Sequence, residues 1–276
     1  MWFKRKIGDF IRKINPLEIE YIKIPVNAIP GANSFNSFKI AHVSDVHIPR
    51  TAFTPRYLAE AVKNQKPDII FLTGDIMDGK SPFDGPKISL LISLLLKIAP
   101  VVAISGNHEV GYKKYEKIWK TMLKLRGVVF VDNSLINVDK EGKNFVIAGI
   151  KDFNPRKITN PDLSFLNEVK IADDDCFLLL HHRPNIWRNY YPENAPTPDI
   201  VFSGHAHGGQ IRIPFTGRGI IAPNQGLFPK YISGLYEYPD GSKEIISRGL
   251  ASVTTPVRIN NNPHLIIVEL FADKKN

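Results

Sequence analysis

Residues 38–47 read F-K-I-A-H-V-S-D-V-H: an apolar run with the character of a buried strand, then Asp45 and His47, two side chains able to bind a cation. The same succession returns further along. After D-I-I-F-L (68–72) comes T-G-D, with Asp75; after P-V-V-A-I (100–104) comes S-G-N-H-E, with Asn107 and His108. After C-F-L-L-L (176–180) comes H-H-R-P, with His181 and His182, and after D-I-V-F (199–202) comes S-G-H-A-H, with His205 and His207. Helical patterns lie between several of these runs, at about 54–65, 86–98 and 112–125, and a further apolar run occupies 145–149. Strands alternating with helices predict an α/β layered domain. Open α/β sheets bind ligands at the carboxyl ends of their strands. Five strand ends carrying carboxylate, amide or imidazole groups therefore predict one shared site. Beyond it the pattern changes to strands and turns (211–213, 230–238, 243–247 and 265–270) without clear helices.

Each motif alone has an ordinary reading. D-x-H occurs by chance, G-D is a turn, and N-H-E can cap a helix starting near Glu109. His42, inside a strand, reads as a satisfied core residue. Together, and in this order, they point to a metal site. In F-S-G-H-A-H-G-G-Q (202–210), extended backbone would place His205 and His207 on the same side of Ala206, with the glycines leaving room for a phosphate. Asp, Asn and His offer only oxygen and nitrogen donors, which suits Mn, Fe, Zn or Co. One carboxylate can bridge two such ions about 3.5–4 Å apart.

The chain has 276 residues, 43% hydrophobic and 23% charged, with no repeat or low-complexity linker, so one domain over 17–276 is expected. Cys176 is the only cysteine, which excludes an intrachain disulfide, and its place before F-L-L-L predicts a buried strand thiol in a reducing, cytosolic setting. The net charge of +9 suits nucleic acid, an anionic membrane or a phosphorylated substrate. Residues 1–15, M-W-F-K-R-K-I-G-D-F-I-R-K-I-N, gather Phe3, Ile7, Phe10, Ile11 and Ile14 on one arc, with Arg5, Lys6, Asp9, Arg12 and Lys13 opposite; Pro16 ends the pattern. This predicts a basic amphipathic helix over 1–16 lying on an anionic membrane surface. The expected location is cytoplasmic, peripheral on the inner membrane. No apolar run reaches the roughly eighteen residues of a transmembrane helix, and Lys and Arg interrupt what would be a secretory signal. A nucleic-acid groove should interleave basic and aromatic residues, and beyond the N-terminal segment no stretch does, so nucleic acid is not an expected partner.

The order D-x-H, G-D, G-N-H-E, H-x-P and G-H-x-H resembles the calcineurin-like metallophosphoesterases, over nearly all of the chain after about residue 37. The continuation G-G-Q-I-R-I-P, A-P-N-Q-G and S-R-G-L resembles one bacterial, membrane-associated branch of them, some of whose members act on UDP-2,3-diacylglucosamine in lipid A synthesis. The resemblance implies a four-layer αββα sandwich and two divalent metal ions, Mn first, with Fe, Zn or Co accepted. It implies that Asp45, His47 and His207 hold one ion, that Asn107, His182 and His205 hold the other, and that Asp75 bridges them. His108 would be the non-ligand histidine that protonates the leaving oxygen. The family places its histidine two residues before proline, which selects His182 over His181. Arg212 and Arg218 follow the histidine pair, and Arg212 is the candidate contact to a second phosphate or headgroup. The expected activity is hydrolysis of a phosphoester or pyrophosphate in a phosphorylated, lipid-linked small molecule, with a nucleotide or nucleic-acid phosphodiesterase as the alternative. A scaffold that had lost catalysis should lack some ligand, and this chain has the full set.

Overall fold

Strand β2 (Ser37–Val43) is buried on both faces, Phe38 and Ile40 pointing between two sheets and Ala41 and Val43 toward helices. Burial on both sides is why it reads as a near-continuous apolar run. The structure, a computed structural model, describes residues 15–27, 35–153, 163–184, 186–251 and 258–273. The N-terminal segment expected to form an amphipathic helix lies, up to residue 14, outside the described residues.

The first sheet runs β1 (Glu18–Asn27), β14 (His264–Asp273), β2, β3 (Ile69–Leu72), β4 (Val101–Ala103), β5 (Val129–Phe130), with only β14 and β2 antiparallel. The second runs β12 (Gly234–Glu237), β13 (Lys243–Ile246), β9 (Ile200–Ser203), β8 (Cys176–His181), β7 (Lys143–Ile150), β6 (Ser134–Lys140); its inner pairings are parallel and its two outer ones antiparallel. The sheets share one core. Phe38 stacks obliquely on Phe145 at 4.5 Å between ring centroids, and Phe71 meets Phe202 edge-on at 5.0 Å.

Helices cover the outer face of the first sheet. Thr54 caps α1 (Pro55–Lys63) by accepting from Tyr57 N, with Pro55 in the first turn, where a missing N–H costs nothing. Leu58, Ala59 and Val62 form its buried stripe. Asp84 caps α2 (Gly85–Leu95), which buries Ile88, Leu91, Ile92 and Leu95. The short α3 (Asn107–Gly111) leads into α4 (Lys113–Lys124), whose Trp119 and Leu123 are fully buried. The outer face of the second sheet packs Val146, Phe177 and Leu179 against Leu166 and Trp187 from two 3₁₀ turns, Ser164–Glu168 and Ile186–Asn189. The arrangement is the four-layer αββα sandwich, with a thin fourth layer among the described residues.

Parallel pairing sends β2, β3 and β4 to one end of their sheet and β7, β8 and β9 to one end of theirs, so their following loops share a rim. Two long strands, β1 and β6, escaped the sequence reading, as did three two-residue strands. In β1, exposed Glu18, Tyr21 and Lys23 alternate imperfectly with buried Ile22, Ile24 and Val26, as at a half-covered edge; β6 is an edge of the second sheet. The strand expected over 230–238 is shorter, and 211–213 makes only isolated bridges, Ile211 with Ile259 and Arg212 with Gly219. Cys176 is the buried strand thiol foreseen, and burial pushes its pKa up.

Candidate metal centre

The loops after β2, β3, β4, β8 and β9 turn sharply inward. Asp45, His47, Asp75, His205 and His207 all have φ between +47° and +64°, a left-handed conformation that L-residues avoid. Non-glycine residues held there cluster at functional sites. Two glycines let these loops touch. A Cβ on Gly204 would sit 2.0 Å from Ser44 Oγ and 2.3 Å from Asp45 Oδ2, and one on Gly106 would sit 2.4 Å from Asp75 Oδ1. His205 and His207 are therefore not alternating residues of an extended strand, as their spacing suggested; β9 stops at Ser203 and a 3₁₀ turn starts at His207.

Three groups of donors result, Asp45 with His47 and His207, Asp75 with His182 and His205, and His47 with Asp78 and His108. In the first, His207 Nε2 lies 3.3 Å and His47 Nε2 3.9 Å from Asp45 Oδ1. In the second, His182 Nε2 lies 3.3 Å from Asp75 Oδ2, 3.2 Å from His205 Nδ1 and 3.1 Å from Asn107 Oδ1. Asp75 Oδ2 also stands 3.7 Å from His47 Nε2, so this carboxylate faces both groups. His108 lies beside them with its Nδ1 3.1 Å from Asp78 Oδ1 and 3.0 Å from Gly79 N, while its Nε2 is 4.0 Å from Asp75 Oδ2. His181, one residue before His182, points away and packs against Tyr190.

Outer partners orient the rings. His182 Nδ1 donates to Thr73 O at 2.7 Å and His207 Nδ1 to Ala251 O at 3.2 Å, which turns both Nε2 atoms into the site. His205 does the reverse: its Nε2 donates to Asn224 Oδ1 at 2.8 Å and its Nδ1 faces inward. His47 is different. It is 1% exposed, and neither ring nitrogen has a hydrogen-bond partner among the described residues. A buried imidazole with two orphaned nitrogens is costly unless something else binds it. A cation accounts for it, and the oxygen and nitrogen donors suit a hard or borderline divalent ion.

The electrostatics agree for His47, His205 and His207, while His182 is charged in the metal-free site and must lose a proton to bind an ion. Burial lowers His47 to about 3 and holds His205 and His207 well below the usual imidazole value, so these rings are neutral, as ligands must be. Burial opposes charge on Asp75, yet the nearby His182 holds it well below the usual carboxylate range, and Asp75 in turn lifts His182 to about 10. Burial pushes Asp45 up to about 6.

Three supporting groups were not foreseen. Glu109 accepts from Asp75 N (2.8 Å), Gly106 N (2.9 Å) and Met77 N (3.0 Å), tying the β3 loop to the start of α3. Buried Arg183 spans from Asp152, bound through Nε at 2.8 Å, to Asn224 Oδ1 and His205 Nε2. The S-R-G-L stretch packs on the β2 loop, Leu250 N and Ala251 N both donating to Asp45 O. His42 is the core residue expected, its Nε2 2.8 Å from Thr73 Oγ1. Arg212 is half-buried, its guanidinium 3.5 Å from Gly217 O and under the charges of Arg248, Glu18 and Glu20.

A family model described as calcineurin-like phosphoesterase matches residues 38–209. The chain is 30% identical over 240 residues to Phosphodiesterase YaeI of Escherichia coli (strain K12), covering 84% of this chain and 82% of that one. To the uncharacterized metallophosphoesterase YkuE of Bacillus subtilis (strain 168) it is 29% identical over 271 residues, covering 95% and 88%. Among solved structures it is similar to a dimetal phosphatase from Danio rerio, with TM-score 0.45, 13% identity, and 79% of this chain and 89% of that chain covered.

Proposed function

The chain belongs to the calcineurin-like phosphoesterase family and is a metal-dependent hydrolase, and we propose that it is a dimetal phosphodiesterase acting at a membrane surface on a lipid-linked phosphoester or pyrophosphate. The observation that carries the reading is Asp75, whose Oδ2 faces His182 at 3.3 Å and His47 at 3.7 Å and so joins two donor groups. Asp45, His47 and His207 would hold one divalent ion and Asn107, His182 and His205 the other, with Asp75 between; manganese is the first candidate, and Fe, Zn and Co suit the same donors. Such ions supply neutralisation of phosphoryl charge and a more acidic water. His108, with Asp78 Oδ1 3.1 Å from its Nδ1 to accept that nitrogen's N–H, would give a proton from Nε2 to the leaving oxygen as general acid and end as the neutral ring. Arg212 would contact a second phosphate or headgroup.

The diester preference is supported by the name of the YaeI relative. The membrane setting is supported by the basic, apolar composition of residues 1–15, which suits an anionic lipid surface on the cytoplasmic side of an inner membrane. Among the described residues no helix is long and apolar enough to cross a membrane. UDP-2,3-diacylglucosamine is the named substrate candidate, from the resemblance of G-G-Q-I-R-I-P, A-P-N-Q-G and S-R-G-L.

The test is hydrolysis of UDP-2,3-diacylglucosamine, bis-p-nitrophenyl phosphate and a cyclic nucleotide by Mn-loaded protein, with and without EDTA. Chelator-sensitive cleavage of the lipid nucleotide is expected. Cleavage of the cyclic nucleotide in preference would move the substrate to soluble nucleotides, and cleavage unaffected by chelator would overturn the dimetal reading.

A further inference from the structure

Past the metal centre the chain forms a small ribbon from Ile211 to Phe228, two short paired strands with the 211–213 segment bridged alongside. Ile220 N donates to Ile211 O at 2.9 Å, Ile213 N to Arg218 O at 2.8 Å, and Phe228 N to Ile220 O at 2.8 Å; β10 (Ile221–Ala222) pairs with β11 (Gly226–Leu227). The second turn of the ribbon carries Asn224, whose side chain holds His205 at 2.8 Å, so the ribbon is also one wall of the metal centre.

Its outer surface is apolar. Phe215 is fully exposed at the first turn, Leu227 is 67% exposed and Phe228 66%, and Ile221, directly opposite Leu227, is 46% exposed. Phe215 and Phe228 sit at φ +62° and +52°, a left-handed backbone that large side chains avoid. Exposed apolar patches of this kind mark interaction sites. The charge of the ribbon itself has one sign, Glu18 and Glu20 lying off it near Arg212. From residue 200 to residue 236 there is no aspartate or glutamate, while Arg218 and Lys230 are exposed on the ribbon and just past its end.

We propose that the ribbon docks on an anionic lipid surface, Phe215, Leu227 and Phe228 entering the headgroup boundary while Arg218 and Lys230 meet lipid phosphates. Apolar tips on a ribbon that carries cations and no acid of its own fit that surface. A second copy of this chain would set two cationic ribbons face to face without a counter-charge. The inference rests on the reading of the centre as a phosphoesterase working at a membrane. It adds a contact independent of residues 1–15 and places the metal centre against the bilayer.

The test uses the full chain with Thr216→Cys labelled by an environment-sensitive fluorophore, Cys176 being buried. It is mixed with phosphatidylcholine vesicles with and without phosphatidylglycerol. The expected result is a blue shift with the anionic vesicles alone. In the variant Phe215→Ser/Leu227→Ser/Phe228→Ser, vesicle partition should fall by at least about tenfold. Hydrolysis of bis-p-nitrophenyl phosphate and the circular dichroism spectrum should be unchanged. A silent label, or a triple variant that partitions like its parent, overturns the ribbon as a docking element, even if residues 1–15 still bind lipid. A blue shift that grows with protein concentration and needs no vesicles overturns it in favour of self-association. A blue shift from a parent protein that fails to cleave the soluble diester supports docking and counts against the phosphoesterase reading alone.

Discussion

His182 and His205 each have an outer partner for the ring nitrogen that faces away from the site, whereas His47, in the neighbouring group, has a partner for neither among the described residues. The Asp75–His182–His205 group is thus braced from outside, and Asn224 is itself held by Arg183 and, through it, Asp152. The Asp45–His47–His207 group has one braced ring, and His47 is positioned by the rings of His108 and His207, at 4.5 and 5.2 Å between centroids. Pre-set ligands lose less freedom on binding, so the braced group should take its ion first and more tightly. The other should depend on its ion to settle His47.

The strongest way to break this comparison is to remove what the two groups share. Asp75→Asn should bring turnover down to that of chelated protein and leave one ion per chain by metal analysis. His108→Ala comes next, with an expected loss of about 10²–10⁴-fold in kcat, two ions retained, because its proposed role is proton donation. Turnover like that of the parent would remove that role. Asn224→Ala sharpens the contrast. It should weaken the tighter of two calorimetric binding steps by about 10–100-fold, the usual effect of losing a partner of a ligating histidine, and spare the weaker step. Equal weakening of both would mean the braces do not distinguish the groups. Ser44→Ala should have the smallest effect, at most about tenfold on the weaker step, since it removes one donor, 2.5 Å from Asp45 Oδ2.

The sequence made the strands with both faces covered legible, because a run such as F-L-L-L in β8 has no polar face to confuse its period. Edge strands β1 and β6 mix charges into their pattern and were passed over. The donor residues were legible for a related reason: each stands just past an apolar run. Asp152 also follows a strand, β7, but its meaning depends on Arg183, 31 residues away, and Arg183's on Asn224, 41 residues away. Only folding creates that chain of contacts. The relation between His205 and His207 was foreseen from the wrong geometry. Extended alternation was expected to set their directions, while left-handed φ values of +64° and +48° turn the two rings into different groups.

The most direct test of the shared carboxylate is electron paramagnetic resonance of chelator-stripped protein titrated with Mn²⁺. Two ions joined through Asp75 should give the multiline spectrum of a coupled pair once the second equivalent is added, and Asp75→Asn should lose it. Two equivalents bound as isolated, uncoupled Mn²⁺, or saturation at one, would contradict a centre in which one carboxylate joins both groups.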